Sequence, residues 1–305
     1  MCYKQRPREI RLTLSRREVL AAAGVPLAPA ADMPRVRIGK HEFSRLMVGG
    51  NPVSGNSHQP GALGRQMRDY FSAENVKKLL GACEQAGVNT WQSRADRHIM
   101  RLLNEYRLEG GKIQWVAQTA SELADIPRHI RECASMGAAG VYHHGSSTDK
   151  FWAERNMDEV RARLKAIRDA GVLVGLGTHI PEVIDFAESK NWDVDFYMTC
   201  IYNLSRSREE ASRLAGRKVD DEFFWEPDRV EMLKRVKQTR KPCFIFKVYG
   251  ASRRCGSASD MRAAMRQVFD YAKPSDCVVV GMFPKDKEQV RENCALLIEA
   301  ARGAA

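Results

Sequence analysis

Met157-Asp-Glu-Val-Arg-Ala-Arg-Leu-Lys-Ala-Ile-Arg-Asp-Ala-Gly-Val-Leu-Val-Gly-Leu-Gly-Thr-His-Ile-Pro181 contains one full repeat of the plan on which the chain is built. Met157 to Ala170 carries a helical pattern with Gly171 at the expected stop. Residues 172–178 form a short apolar run that reads as a strand, and small residues there permit close approach. His179 closes that run and Pro181 begins the next helix, where its missing N–H costs nothing.

The same alternation extends both ways. Strands are predicted at about 45–49, 87–92, 113–118 and 139–144, and then beyond 172–178 at about 194–200, 243–248 and 277–282. Helical patterns lie between them, one with Ser72 as N-cap and Glu74 in its first turn, running from Asn75 to Gly87. Alternating strand and helix implies parallel strands with right-handed crossovers, and eight such units favour closure. The fold class is therefore α/β, a (β/α)₈ TIM barrel, preceded by a short β-hairpin at Val36-Arg-Ile38, Gly39-Lys40 and His41-Glu-Phe43. An open doubly wound sheet is disfavoured because Gly49-Gly50-Asn51-Pro52, after the first strand, is not a GxGxxG turn. Two connections, about 50–72 and 203–226, are long, as loops that carry binding residues or lids often are.

Length and composition agree with one domain over residues 34–305. The 305 residues are 44% apolar, enough for one large core. The formal charge is +11, with charges of both signs interspersed along the helices. This reads as a solvated basic surface and predicts no nucleic-acid partner. The eight cysteines stand alone, several inside apolar runs such as Pro242-Cys-Phe-Ile-Phe-Lys247, so buried thiols are expected rather than a disulfide framework or a zinc site.

Residues 1–31 have a separate character. Ser15-Arg16-Arg17-Glu18-Val19-Leu20 precedes the mildly apolar Ala21–Leu27 and the small-residue pattern Ala28-Pro29-Ala30. This resembles a twin-arginine signal peptide, which implies the twin-arginine export machinery as a partner and a periplasmic or extracellular location. The apolar run is too short to span a bilayer, and no other segment reaches that length, so no stable membrane anchor is expected.

In a barrel of this kind the site lies at the C-terminal ends of the strands. The polar residues predicted there are Asn51, Gln92, Gln118, His144, His179, Cys200, Tyr202, Asn203 and Lys247. His143 and His144 point to opposite faces, and His144 is the one expected to look into the barrel. His144 and His179 suit general acid–base work or, with a carboxylate, a divalent metal. Lys247 ends an otherwise apolar run, and burial lowers a lysine pKa in a way that suits a base or a Schiff-base nucleophile. Tyr202 is a further candidate acid. Asn51, Gln92, Gln118, Asn203 and Cys200 are candidate substrate contacts.

Phe43-Ser-Arg-Leu-Met-Val-Gly-Gly-Asn51, Ala86-Gly-Val-Asn-Thr-Trp-Gln92, Val141-Tyr-His-His-Gly145 and Val278-Val-Val-Gly-Met-Phe283 with Gln289-Val-Arg-Glu-Asn293 resemble the aldo/keto reductases in order and spacing. The resemblance implies NADP as cofactor and a carbonyl or sugar-like small-molecule substrate. It also implies an Asp and a Tyr after the second strand, a Lys on the third and a His on the fourth. In this sequence those places fall on Gln92, Arg97, Gln118 and His144, so only the histidine matches. Gly281, Lys285, Lys287, Gln289, Arg291, Glu292 and Asn293 resemble the family's contacts to the cofactor's phosphate and adenine. Two functions follow: an NADP-linked oxidoreductase with a non-standard catalytic set, or a non-redox lyase, isomerase or hydrolase using His and Lys, with or without a metal. A ligand-binding protein without catalysis is the third class. Replacing Arg16 and Arg17 with Lys is expected to block export, as read by fractionation of cells expressing the full chain; secretion at the normal level would dismiss the leader.

Overall fold

Crossovers through helices bring each strand back parallel to its predecessor, because a tight turn can join only antiparallel strands. The computed structural model describes Met33–Gly303, and the leader expected over residues 1–31 lies outside the described residues. An antiparallel hairpin, β1 (Arg35–Ile38) and β2 (His41–Ser44), comes first. Eight parallel strands follow: β3 (Leu46–Gly49), β4 (Thr90–Arg94), β5 (Gln114–Gln118), β6 (Gly140–His143), β7 (Leu173–Thr178), β8 (Phe196–Cys200), β9 (Cys243–Phe246) and β10 (Cys277–Gly281). They close in chain order, with β10 pairing with β3 through Val279↔Met47 and Gly281↔Gly49.

The helices between β3 and β6 are α1 (Leu63–Tyr70), α2 (Ala73–Gln85), α3 (Arg97–Leu108) and α4 (Ile126–Ser135). After β6 come α5 (Gly145–Ala153) and α6 (Met157–Asp169), then α7 (Pro181–Ser189) after β7. The remainder are α8 (Arg208–Ala215), α9 (Glu226–Gln238), α10 (Ala258–Phe269) and α11 (Gln289–Gly303). Ser72 caps α2 by accepting from the Asn75 N–H, as its position in the sequence implies. The two long connections are not plain loops. The first holds α1, and the second holds α8, capped by Ser207 and stopped by the left-handed Gly216.

Alternation along the strands separates two cores. Inward residues Met47, Val116, Tyr142, Phe196, Met198, Phe244 and Val279 fill the barrel, and Val36, Ile38 and Phe43 of the hairpin plug its N-terminal end. Phe196 stacks on Phe244 at 4.4 Å between ring centroids, and Phe43 meets Phe244 edge-on at 5.7 Å. Such pairs contribute about 0.5–1.5 kcal/mol beyond the area they bury. The second, larger core lies between the outer strand faces and the helices, with Trp91, Trp115, Leu79 and Leu103 fully buried.

The seven described cysteines are all free, and only Cys255 is exposed. Among the described residues no helix is long and apolar enough to cross a membrane. Gly175 faces the barrel interior, where a Cβ would lie 2.4 Å from Phe196 Cζ and 2.5 Å from Tyr142 Cβ. Gly175→Ala is therefore expected to destabilise the fold by about 1–3 kcal/mol through overpacking, measured by urea unfolding; an unchanged midpoint would show that the Phe196 ring is not fixed in place.

Candidate active site

With the hairpin sealing one end, polar side chains on inward positions gather at the other, where β6 to β10 end. Lys247 follows the last residue of β9 with a left-handed backbone, φ 64°. A side chain in that region strains the main chain by roughly 1–3 kcal/mol, and such strain collects at functional sites. Its Nζ is buried without a hydrogen-bond partner and lies 5.6 Å from the centroid of the Phe224 ring. Burial pushes its pKa down, against the opposing charges of Cys200 and Glu222.

On the neighbouring strands is a fixed histidine–carboxylate pair. His179 leaves β7 and Cys200 ends β8. Because Thr178 pairs with Thr199, the next residues on both strands emerge side by side. The His179 Nδ1–H donates to Asp149 Oδ2 at 2.6 Å. Asp149, on α5, also accepts from Thr178 Oγ1 at 2.5 Å, Ser205 Oγ at 2.6 Å and the His179 backbone N–H at 3.2 Å. Its side chain is 1% exposed, so the carboxylate needs these donors. Burial alone would neutralise His179, but Cys200 and Asp149 outweigh it and push the pKa up to about 10.

The two adjacent histidines behave as opposite faces of a strand require. His143 is fully buried on the outer side, its Nδ1 2.7 Å from Thr148 Oγ1, while Arg163 Nη1 donates to its Nε2 at 3.2 Å. Thr148 Oγ1 donates to the His144 carbonyl, which leaves it to accept from a neutral Nδ1–H tautomer of His143. His144 turns toward the mouth with a buried Nδ1 that has no partner. Burial first, then nearby positive charge, pushes His143 down to about 3 and His144 to about 4.

A cleft opens at the mouth, with an empty volume of about 1150 Å³ counting its opening. Of the predicted reacting and substrate residues, Asn51, Gln92 and Lys247 line it. Of those assigned to a cofactor, Gly281, Lys287, Gln289, Glu292 and Asn293 line it, while Lys285 does not. Gln92 reaches inward to donate to the Tyr142 hydroxyl at 2.7 Å. His144, His179, Cys200 and Gln118 are not part of the cleft wall, and Cys200 is wholly enclosed.

Two residues expected at the site are directed elsewhere. The chain turns outward at Ile201, so the Tyr202 hydroxyl donates to Glu226 Oε1 at 2.9 Å and receives Arg229. Asn203 holds a turn, its N–H bonded to Asp228 and its side-chain oxygen to the Ser205 N–H. Neither lines the cleft. Sequence reading missed Asp149, His58 and Glu222, whose partners lie far along the chain. His58 Nδ1 meets Glu222 at 2.8 Å, joining the connection after β3 to the one after β8. Gln59 Nε2 donates to the Ala251 carbonyl at 2.6 Å, adding the connection after β9. Among the described residues no group of three or more His, Cys, Asp or Glu is arranged to hold a metal.

The chain is a TIM barrel, and solved structures agree on that fold. Gox0644 in its apo form matches with a TM-score of 0.55 at 8% identity, covering 89% of this chain and 92% of that one. The Amycolatopsis orientalis BexX/CysO complex gives 0.52 at 13% identity, covering 89% and 94%. A mandelate oxidase variant gives 0.50 at 16% identity, covering 92% and 78%. Identities this low bear on the fold alone. No family model matches the sequence, and no curated protein matches it.

The histidine shifts set a pH dependence. Pushed from the ordinary 6.5 down to about 3 and about 4, His143 and His144 stay neutral in the fold while the unfolded chain takes up protons below 6.5. Stability therefore falls as pH drops from 6.5 toward 4. His179 is raised, so its contribution is fully present below 6.5 and is lost only as pH rises through about 10. His129, also pushed down by burial, acts in the same sense. Urea unfolding at about pH 7 and about pH 5.5, where the change in histidine charge outweighs that of the carboxylates, should show a loss of about 1 kcal/mol or more. His143→Gln should flatten the slope, and equal stability at both values would refute neutral burial.

Proposed function

We propose that the protein is an enzyme acting on a small carbonyl compound held in the cleft at the barrel mouth, with the Lys247 amine adding to the carbonyl carbon. The observation that carries this reading is the buried, unpartnered Nζ of Lys247 at the C-terminal end of β9, in a cleft wall. Burial favours the neutral amine, the form that acts as a nucleophile. An imine at Lys247 draws electrons from the adjacent carbon and so serves a lyase or an isomerase without a redox step. Phe246 supplies an apolar wall, and Asn51 and Gln92 supply polar groups for a hydroxylated, sugar-like substrate.

A second reading, an NADP-linked reductase, is supported by the continuity of the cleft from Gln92 and Lys247 to the start of α11. The residues there fit a nucleotide in part. Lys287 suits a phosphate, and the buried Asn293 Oδ1, which has no partner, suits an adenine amino group. Bound there, the cofactor would supply hydride. Gly281 has another explanation, since a Cβ there would lie 2.8 Å from the Pro52 ring. On either reading, the leader expected over residues 1–31 would deliver the folded enzyme by the twin-arginine route.

Incubation of the protein with glyceraldehyde and sodium borohydride should fix a reduced adduct on the Lys247 peptide, identified by mass spectrometry, and Lys247→Arg should abolish it. No adduct across a panel of aldehydes and ketones would exclude Lys247 as the reacting amine. Saturable quenching of NADPH fluorescence by the protein would instead move the assignment to the reductase.

A further inference from the structure

Eight buried side-chain nitrogen or oxygen atoms among the described residues have no hydrogen-bond partner. Three of them, Lys247 Nζ, the Tyr249 hydroxyl and Asn293 Oδ1, belong to residues that line the cleft at the barrel mouth. Orphaned polar atoms are costly in a folded protein, and three in one wall mark a place where a ligand completes the bonding. Lys247 is accounted for by its reaction with a carbonyl, and the other two are not. Asn293 is 2% exposed and Tyr249 8%, so bulk water does not satisfy either side chain.

Both stand beside Glu292. Asn293 lies in the second turn of α11, where its Nδ2 donates to the Gln289 carbonyl at 2.7 Å. Turning the amide over would set its oxygen against that carbonyl, so Oδ1 is the free atom, and it can only accept. Tyr249 follows Lys247 by two residues, in a turn closed by the Gly250 N–H on the Lys247 carbonyl at 2.8 Å. Glu292, next to Asn293 on α11, also lines the cleft, and its charge acts on the Tyr249 hydroxyl. Among the described residues nothing donates to the half-buried Glu292 carboxylate, and its neighbour Arg291 faces Glu288 at 3.9 Å. Lys287, also in the cleft wall, is exposed and acts on the Cys255 thiol.

We infer that Tyr249, Glu292 and Asn293 form a subsite for a primary ammonium group, and that the substrate is an amino-carbonyl compound, an amino aldehyde or an amino sugar, held by its amine there while its carbonyl meets Lys247. The subsite stands on its own residues, whereas its pairing with a carbonyl rests on the reading of Lys247 as the reacting amine. Asn293 Oδ1 and the Glu292 carboxylate only accept, and the Tyr249 oxygen can accept as well. An ammonium brings three N–H donors and the positive charge that Glu292 lacks. A phosphate or a carboxylate would set acceptor against acceptor and negative charge against Glu292. A hydroxyl, or the neutral amino group of an adenine, would leave the carboxylate without a counter-charge.

Dansylcadaverine, a fluorescent dye carrying a primary amine, probes the subsite without any carbonyl. Its emission should change saturably on binding to the full chain. The N-acetyl derivative, which keeps the dye and loses the charge, should bind at least about 10-fold more weakly, as should dansylcadaverine itself to Glu292→Gln and to Asn293→Leu, the usual effect of losing a charge-assisted or buried hydrogen bond. Tyr249→Phe should weaken it by a smaller factor. If Asn293→Leu does not fold, Glu292→Gln and the acetylated dye decide.

Equal binding of the acetylated dye overturns the ammonium reading, since the cleft is then attracting the dye alone. Unchanged affinity in Glu292→Gln overturns the subsite. Binding of NADPH without binding of dansylcadaverine gives this end of the cleft to a nucleotide and overturns it too. Dansylcadaverine bound as expected, with no glyceraldehyde adduct trapped by borohydride, refutes the carbonyl reading at Lys247 and the amino-carbonyl substrate with it, while leaving the amine subsite in place. An adduct on Lys247 with no binding of the amine refutes the subsite and leaves the carbonyl reading standing.

Discussion

Pairing of β10 with β3 closes the sheet, and the rest of the molecule depends on that closure. Gly49 and Gly281 sit opposite each other at the seam, where a Cβ on Gly49 would come within 3.0 Å of the Gly281 nitrogen. A closed sheet has no edge strand to protect, so every strand is covered by barrel neighbours and by helices. It also gives inward side chains only two directions in which to meet solvent. The hairpin removes one of them by placing Val36, Ile38 and Phe43 against Phe244 and its neighbours. Polar chemistry on the inward positions is thereby confined to a single mouth.

The barrel was legible because parallel strands buried on both faces read as nearly continuous apolar runs, and glycine stops separate them from amphipathic helices. Cys277-Val-Val-Val-Gly281 and Leu173-Val-Gly-Leu-Gly-Thr178 leave little choice of register. The two-residue period also assigned His143 and His144 to opposite faces. What escaped was the detail set by distant partners. Asp149 lies 30 positions before His179, and no local pattern joins them. Helix α8 did carry a local signal, Ser207 with Glu210 and the stop at Gly216, inside a stretch read as a loop. Tyr202 and Asn203 were expected at the mouth because they follow Cys200. The buried Arg229, which donates to the Val248 carbonyl and the Tyr202 hydroxyl, shows why the chain turns outward there.

The aldo/keto reductase pattern expected in the sequence puts its titrating groups on strands other than those that carry them here. On the β4 and β5 side the family's acidic and basic places are Gln92 and Gln118, and Arg97 is an exposed residue at the start of α3. Gln92 is occupied with Tyr142. Groups with shifted titration stand instead on the far side, where β6, β7 and β9 end, in His144, His179 and Lys247. Different strands of a barrel can present different chemistry at the same mouth, which is how one fold accommodates unrelated reactions.

The contact between His58 and Glu222 adds a geometric rule. It ties two loops of the barrel mouth together beside the cleft that His58 lines, while the hairpin closes the opposite end of the barrel. Gln59 and Ala251 add a third loop to the same tie. A partly exposed ion pair contributes only about 0–1 kcal/mol, comparable to thermal energy. The three loops therefore share their movements at the rim, and the width of the threshold is a joint property of segments that lie nearly 200 residues apart.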